Sequence, residues 1–221
     1  MLRYAITDRV RAAPIDESAA EASLLCQVAT LAEVGVNYIQ LREKDLAAGA
    51  LVLLARKLLA ILRAAPNAPK LLINARADVA VAVGADGVHL TSAVGSLTPA
   101  DVRQLYASAG LPKPIVSVSC HTLNEISHAR AAAATLILFG PVFEKVIATC
   151  ESGAPIEAVV SEGIGLNLLH LACTTASPIP VLALGGITAE NTASALEAGS
   201  AGIAAIRLFS FRTNSGFQPA E

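Results

Sequence analysis

The sequence predicts an α/β fold of the (β/α)8 TIM barrel type, and three observations lead there. Eight short apolar runs recur along the 221 residues, at 4–8, 38–43, 70–75, 87–91, 115–120, 135–143, 180–186 and 202–207. Segments of helical character rich in Ala, Leu and Glu lie between them, at 16–34, 46–65, 98–109, 122–133, 165–176 and 188–198. Regular alternation of strand and helix gives a parallel sheet with helical crossovers, and eight units in this length suit a closed barrel. A doubly wound open sheet is the alternative. The length also suits one domain over 1–221 with a substantial core.

Taken in order, the runs end in polar groups. In a barrel, side chains of one parity face inward, and the C-terminal strand ends form the mouth. In the second run Gln40, Arg42 and Lys44 share a parity, while Ile39 and Leu41 take the other. The third run ends at Asn74, which points the same way. In the fourth, His89 shares a parity with Thr91 and is either near the mouth or a hydrogen-bonded core histidine. In the fifth, Ser117, Ser119 and His121 share a parity, while Val116, Val118 and Cys120 face the helices. The polar ends of the second, third and fifth runs together favour a site over a merely solvated edge.

The sixth run leads into 144–162, EKVIATCESGAPIEAVVSE, which is longer than an ordinary βα connection and mixes polar residues with Gly and Pro. It reads as a mobile lid or as an insertion without a role. The seventh run, PVLALGGIT, places Gly185 and Gly186 between a strand and a helix. Such a pair is either a tight turn or a cradle that lets backbone N–H groups meet an anion. Turns after the seventh and eighth strands of barrels commonly bind phosphate, which favours the cradle and brings in Ile206 and Arg207. After the eighth run only FSFRTNSGFQPAE follows, so the last helix is shortened. An apolar edge left there makes a homodimer an option.

Composition removes several function classes. Hydrophobic residues make up 54%, yet no stretch reaches the ~18 uninterrupted apolar residues of a membrane span. The first residues, MLRYAITDRV, contain no apolar signal region, so a cytoplasmic location is expected. Cys26, Cys120, Cys150 and Cys173 lie far apart, without the pairing of a disulfide framework or a zinc site. A net charge of −2 and 4% aromatic residues argue against a nucleic-acid partner. The expected partner is a small molecule.

Certain stretches carry a resemblance. YAITD at 4–8, YIQLREK at 38–44, LLINARADVAVAVGADGVHL at 71–90, VSVSCHTLNE at 116–125, LFGPVFE at 138–144, and PVLALGGIT with AGSAGIAAI resemble, in order and spacing, the thiamin phosphate synthase superfamily. The resemblance implies a (β/α)8 barrel that handles the phosphorylated thiazole half of thiamin. Its synthase branch joins a pyrimidine pyrophosphate to thiazole phosphate, with magnesium held by two aspartates. At the matching positions this chain has Ala75 and Val94. Neither offers the oxygen ligands magnesium requires. By spacing, Asp78 lies inside a helix and Asp101 begins the next, so neither substitutes.

The other branch, the TenI-type thiazole tautomerases, lacks those aspartates and is similar in Leu90-Thr91-Ser92 and LFGPVFE. It implies a cofactor-free isomerase with no metal ligands, which moves a proton within a carboxythiazole phosphate. In the resemblance His121 is the group that takes and gives that proton, as suits an imidazole near neutral pH. Lys145 stands where synthases place a lysine on phosphate, though without the threonine-rich stretch that accompanies it. Arg207 replaces a usual small residue, and either adds a phosphate contact or closes the pocket. The expected binding set is therefore Gln40, Arg42, Lys44, Asn74, Ser119, Lys145, Gly185, Gly186, Ile206 and Arg207. The alternatives to a tautomerase are a magnesium-dependent transferase, thiamin phosphate synthase, and a degenerate barrel that only binds phosphate. His128 and His170 fall within helical segments, away from the site.

Overall fold

The computed structural model describes residues 1–12, 17–93, 95–149 and 157–210; of 11–12, 17, 145–149 and 157–159 it describes the backbone. Strands β1 (Leu2–Ile6), β2 (Tyr38–Leu41), β3 (Lys70–Asn74), β4 (Gly87–Thr91), β5 (Ile115–Cys120) and β6 (Leu136–Phe139) are followed by a hairpin, β7 (Lys145–Thr149) and β8 (Glu157–Ser161), then by β9 (Val181–Leu184) and β10 (Gly202–Ala205). All but the hairpin close one parallel barrel in the order β1-β10-β9-β6-β5-β4-β3-β2. The seventh and eighth apolar runs are thus β9 and β10. The hairpin strands pair antiparallel with each other only. The 144–162 connection expected as a lid or an insertion therefore contains two strands, while residues 150–156 lie outside the described residues.

Helices α1 (Arg9–Ala12), α2 (Glu17–Glu33), α3 (Ala48–Ala64), α4 (Ala77–Val83), α5 (Pro99–Ser108), α6 (Leu123–Ala131), α7 (Gly165–Ala176) and α8 (Thr192–Glu197) fill the connections. The buried face of α3, Leu51, Leu54, Ala55, Leu58, Leu59 and Leu62, follows helical spacing. Burying one such leucine contributes roughly 1.5–3 kcal/mol. Helices α5 and α6 begin at reciprocal capping boxes, Thr98 with Asp101 and Thr122 with Glu125, which satisfy first-turn N–H groups. Helix α8 begins at Thr192 rather than Thr188, because Asn191 closes a turn first: its Oδ1 accepts the Thr188 N–H and its Nδ2 donates to the Gly186 carbonyl. The shortened last helix is a 3-10 turn at Arg207–Phe209. Gln27 on α2 donates to the Phe209 carbonyl and holds that turn down.

The core has two layers. The larger lies between the barrel and its helices; the smaller fills the barrel with Tyr4, Ile6, Leu72, Leu136, Leu138, Leu182 and Ala204. No helix of the described residues is long and apolar enough to cross a membrane.

Candidate active site

Strand parity builds the barrel interior as expected at β2, β3 and β5, and it divides the wall into two halves. Strands β1 to β5 contribute polar inward groups. Gln40 is 2% exposed, and its Nε2 donates to Asn74 Oδ1 at 2.8 Å. His89 is buried, with Nδ1 2.8 Å from Ser117 Oγ and Nε2 2.9 Å from Ser119 Oγ. The Tyr4 hydroxyl lies 3.0 Å from Ser117 Oγ and completes the array. Its protons can run in either direction and leave every member satisfied, provided the imidazole is neutral. Burial, with the positive charge of Arg42 second, pushes the His89 pKa down to about 3, so it is neutral. Of the two readings of His89, the structure shows the hydrogen-bonded core histidine.

Strand ends then depart from parity. Arg42 is half-buried and senses His89, as an inward residue does. Lys44, expected at the mouth, is instead exposed on a turn, because β2 stops at Leu41 and alternation has no meaning beyond a strand. The reason β2 stops is a cluster that sequence reasoning missed. The Glu43 carboxylate is buried, accepts the Thr7 hydroxyl and the Arg9 N–H, and lies beside the Arg9 guanidinium, which also pairs with Asp45. Burial holds the Glu43 carboxyl above its usual range, against the hydrogen bonds from Thr7 and Arg9. The signal available was the coincidence of charged and hydroxyl residues in ITDR and LREKD.

His121 follows β5 and is exposed. Its backbone N–H donates to Glu125, and its Nδ1 bonds the Gly140 carbonyl at the end of β6. That bond makes Nδ1 the protonated nitrogen and leaves the Nε2 lone pair available. The Glu125 carboxyl, although burial opposes its charge, is held below the usual range by the His121 N–H, the Ser92 hydroxyl and the Thr122 N–H. His128 and His170 are exposed on α6 and α7.

Strands β6, β9 and β10 make the other half, with apolar inward residues Leu136, Leu138, Leu182, Leu184, Ala204 and Ile206. Polar capacity there belongs to the backbone. Gly185 has φ +91° and Gly186 φ +66°, conformations that disfavour any side chain. A Cβ on Gly186 would lie 2.5 Å from the Glu144 carbonyl oxygen and 2.6 Å from that of Phe143; one on Gly185 would lie 2.6 Å from Pro141 Cα. A side chain at Gly186 therefore has no free space to enter on the way to a bound anion. It would strike the 141–144 backbone first. The turn nonetheless retains donors: among the described residues the N–H groups of Gly186, Ile187 and Ile206 have no backbone acceptor. Arg207 is exposed on the 3-10 turn. The backbone of Lys145 opens β7, and its side chain lies outside the described residues.

The positions at which the synthase resemblance places magnesium ligands do not fit that ion. Ala75, directly after β3, has no oxygen in its side chain, Asp78 is bonded to Arg76, and the Asp101 carboxylate caps α5. Val94 lies outside the described residues, but a valine has no oxygen ligand wherever it is placed. No group of three or more His, Cys, Asp or Glu side chains converges among the described residues.

A closed (β/α)8 barrel with polar strand ends and a glycine turn after the seventh barrel strand has the architecture of a barrel enzyme, with the mouth as its candidate site. The model of the thiamine monophosphate synthase family matches residues 4–209, and the chain belongs to that family. A protein of Geobacter sulfurreducens is 40% identical over 205 residues, 92% of this chain and 84% of its own. The thiamine-phosphate synthase of Roseiflexus castenholzii is 37% identical over 204 residues, 92% of this chain and 78% of its own. Among solved structures, thiamine phosphate pyrophosphorylase from Pyrococcus furiosus superposes with a TM-score of 0.68 at 28% identity, covering 93% of this chain and 85% of that one.

Proposed function

We propose that the mouth of this barrel binds the phosphorylated thiazole half of thiamin, with the phosphate on the N–H groups of Gly186 and Ile206 and the ring lying toward β5. Arg42, whose side chain has no hydrogen-bond or ion-pair partner among the described residues, supplies a positive charge to the same phosphate. Gln40, Asn74 and Ser119 offer polar contacts to the ring.

Family membership supports two reactions at such a site. The names of the relatives favour the synthase reaction, which joins thiazole phosphate to a pyrimidine. The residues of this chain favour the metal-independent proton shift of a tautomerase, and we take that as our reading. The observation that carries it is the alanine at the end of β3 where the synthase resemblance calls for a carboxylate. In the proton shift, Nε2 of His121 removes a proton from one ring position, and the imidazolium returns a proton to another. No net charge is gained or lost, and the bond from Nδ1 to Gly140 keeps the ring oriented through both steps.

The test is incubation with the exocyclic isomer of the carboxythiazole phosphate in a strong chelator, following the aromatic product. Turnover is expected. No turnover there, together with thiamin phosphate formation from pyrimidine pyrophosphate and thiazole phosphate when magnesium is added, would establish the synthase reading instead.

A further inference from the structure

We infer that Thr7 and Glu43 are positioning residues for Arg42, acting from behind the mouth; this rests on the reading that Arg42 meets the ligand's negative charge. Thr7 is 2% exposed and Glu43 6%. The Thr7 hydroxyl works twice: it accepts the backbone N–H of Arg42 at 3.0 Å and donates to Glu43 Oε1 at 2.5 Å. A hydroxyl has one proton, and an ionised carboxylate only accepts, so Glu43 fixes the direction of the pair. The hydroxyl proton goes to Glu43, and a lone pair is turned toward Arg42. The other carboxylate oxygen accepts the Arg9 N–H at 3.1 Å, with Arg9 Nε 4.0 Å away. Glu43 is thereby anchored to the start of α1, and Thr7 at the end of β1 is anchored to Glu43.

This matters because no hydrogen bond or ion pair among the described residues holds the Arg42 side chain. With no partner of its own among the described residues, the guanidinium takes its direction from its backbone, and that backbone is tied through Thr7. The engagement of Glu43 with Thr7 and Arg9 also keeps an adjacent carboxylate from neutralising Arg42.

The experiment measures the affinity of the full chain for inorganic phosphate by calorimetry, beside the melting temperature of each variant. Thr7→Val removes the hydroxyl at nearly constant shape and is expected to weaken phosphate binding about tenfold, as for loss of one hydrogen bond. Thr7→Ser restores the hydroxyl and should bind within about twofold of the parent. Tyr106→Phe, which deletes a buried hydrogen bond to the Ala85 carbonyl in the outer layer, is the stability control: its melting temperature falls and its affinity stays. If Thr7→Val does not fold, Glu43→Gln carries the test and is expected to weaken binding severalfold. Unchanged affinity in Thr7→Val, or equal losses in Thr7→Val and Tyr106→Phe, would overturn the positioning role. Arg42→Ala tells the two failures apart. If it too leaves affinity unchanged, the anion reading itself is wrong; if it weakens binding while Thr7→Val does not, only the positioning role falls.

Discussion

The two halves of the barrel wall solve the same problem with different parts of the chain. From β1 to β5 the interior carries, beside the apolar Ile6 and Leu72, polar side chains that bond one another, Tyr4, Ser117, His89 and Ser119 in one array and Gln40 with Asn74 in another. On β6, β9 and β10 it is lined by leucine, alanine and isoleucine, and the polar groups are backbone N–H groups at a glycine turn. A side-chain array can be tuned one atom at a time. A glycine turn cannot, because its conformation and its packing against 141–144 fail together. The proposed ligand would use the two halves differently, with its phosphate at the glycine turn and its ring among the side chains.

The largest expected effect lies in the polar half. His121→Asn should lower kcat by ~10²–10⁴, roughly 3–5 kcal/mol of barrier, with substrate affinity nearly unchanged. Its Nδ2 can replace the bond to the Gly140 carbonyl but cannot carry a proton from one ring position to another. Unchanged turnover per folded molecule would reduce His121 to a strand-end anchor.

In the apolar half, Gly186→Val should cost about 3 kcal/mol of stability or more, because a β-branched residue at φ +66° is strained and its Cβ meets two carbonyl oxygens. Ligand binding is lost along with local structure, not by a filled phosphate site alone. Denaturant unfolding at the parent's midpoint would contradict this.

A smaller effect sharpens the comparison through pH. The His89 pKa is about 3 in the folded chain and near 6.5 when unfolded, so between these values the unfolded chain binds more protons. Stability is therefore lost as pH falls from about 6.5 toward 3, with a slope of at most about 1.4 kcal/mol per pH unit. Glu43, with its carboxyl raised by burial, contributes in the opposite sense from the ordinary carboxylate range upward, so the His89 part is read as the difference between the parent and a variant lacking the imidazole. His89→Asn is that variant and should lower the slope; the same slope in both proteins would assign the effect elsewhere.

The smallest effect concerns the residue on which the choice of reaction turns. Ala75 sits at φ +57°, a conformation that glycine accepts without cost and that asparagine and aspartate accept better than alanine does. Ala75→Gly should stabilise the fold by up to about 1 kcal/mol, and thermal unfolding would register it. A lower melting temperature would mean that the alanine methyl packs usefully despite its backbone.

Much of this was legible along the chain. Alternation at Gln40, Asn74, Ser117 and Ser119 placed their side chains inside, because a buried strand presents every second residue to one face. The same alternation failed at Lys44, two residues past a strand end that sequence could not locate. The Thr122 to Glu125 spacing was read as part of a family motif, and the structure shows its local work as a helix cap that also takes the His121 N–H. The Thr7, Arg9 and Glu43 cluster was not seen, since the residues that meet there come from two strand ends brought together only when the barrel closes.

By itself, then, the sequence determined the strand and helix alternation, the barrel, the family and the presence of Ala75 and Val94 where the synthase resemblance calls for carboxylates, because periodicity and side-chain chemistry are local properties. Tertiary structure alone decided that His89 is a neutral core group, that His121 leans on the Gly140 carbonyl, that Glu43 is buried against Thr7 and Arg9, and that Gly186 is required by the backbone beside it. Each of these depends on what a residue meets from a distant part of the chain, and burial and distance are set only when the strands pair.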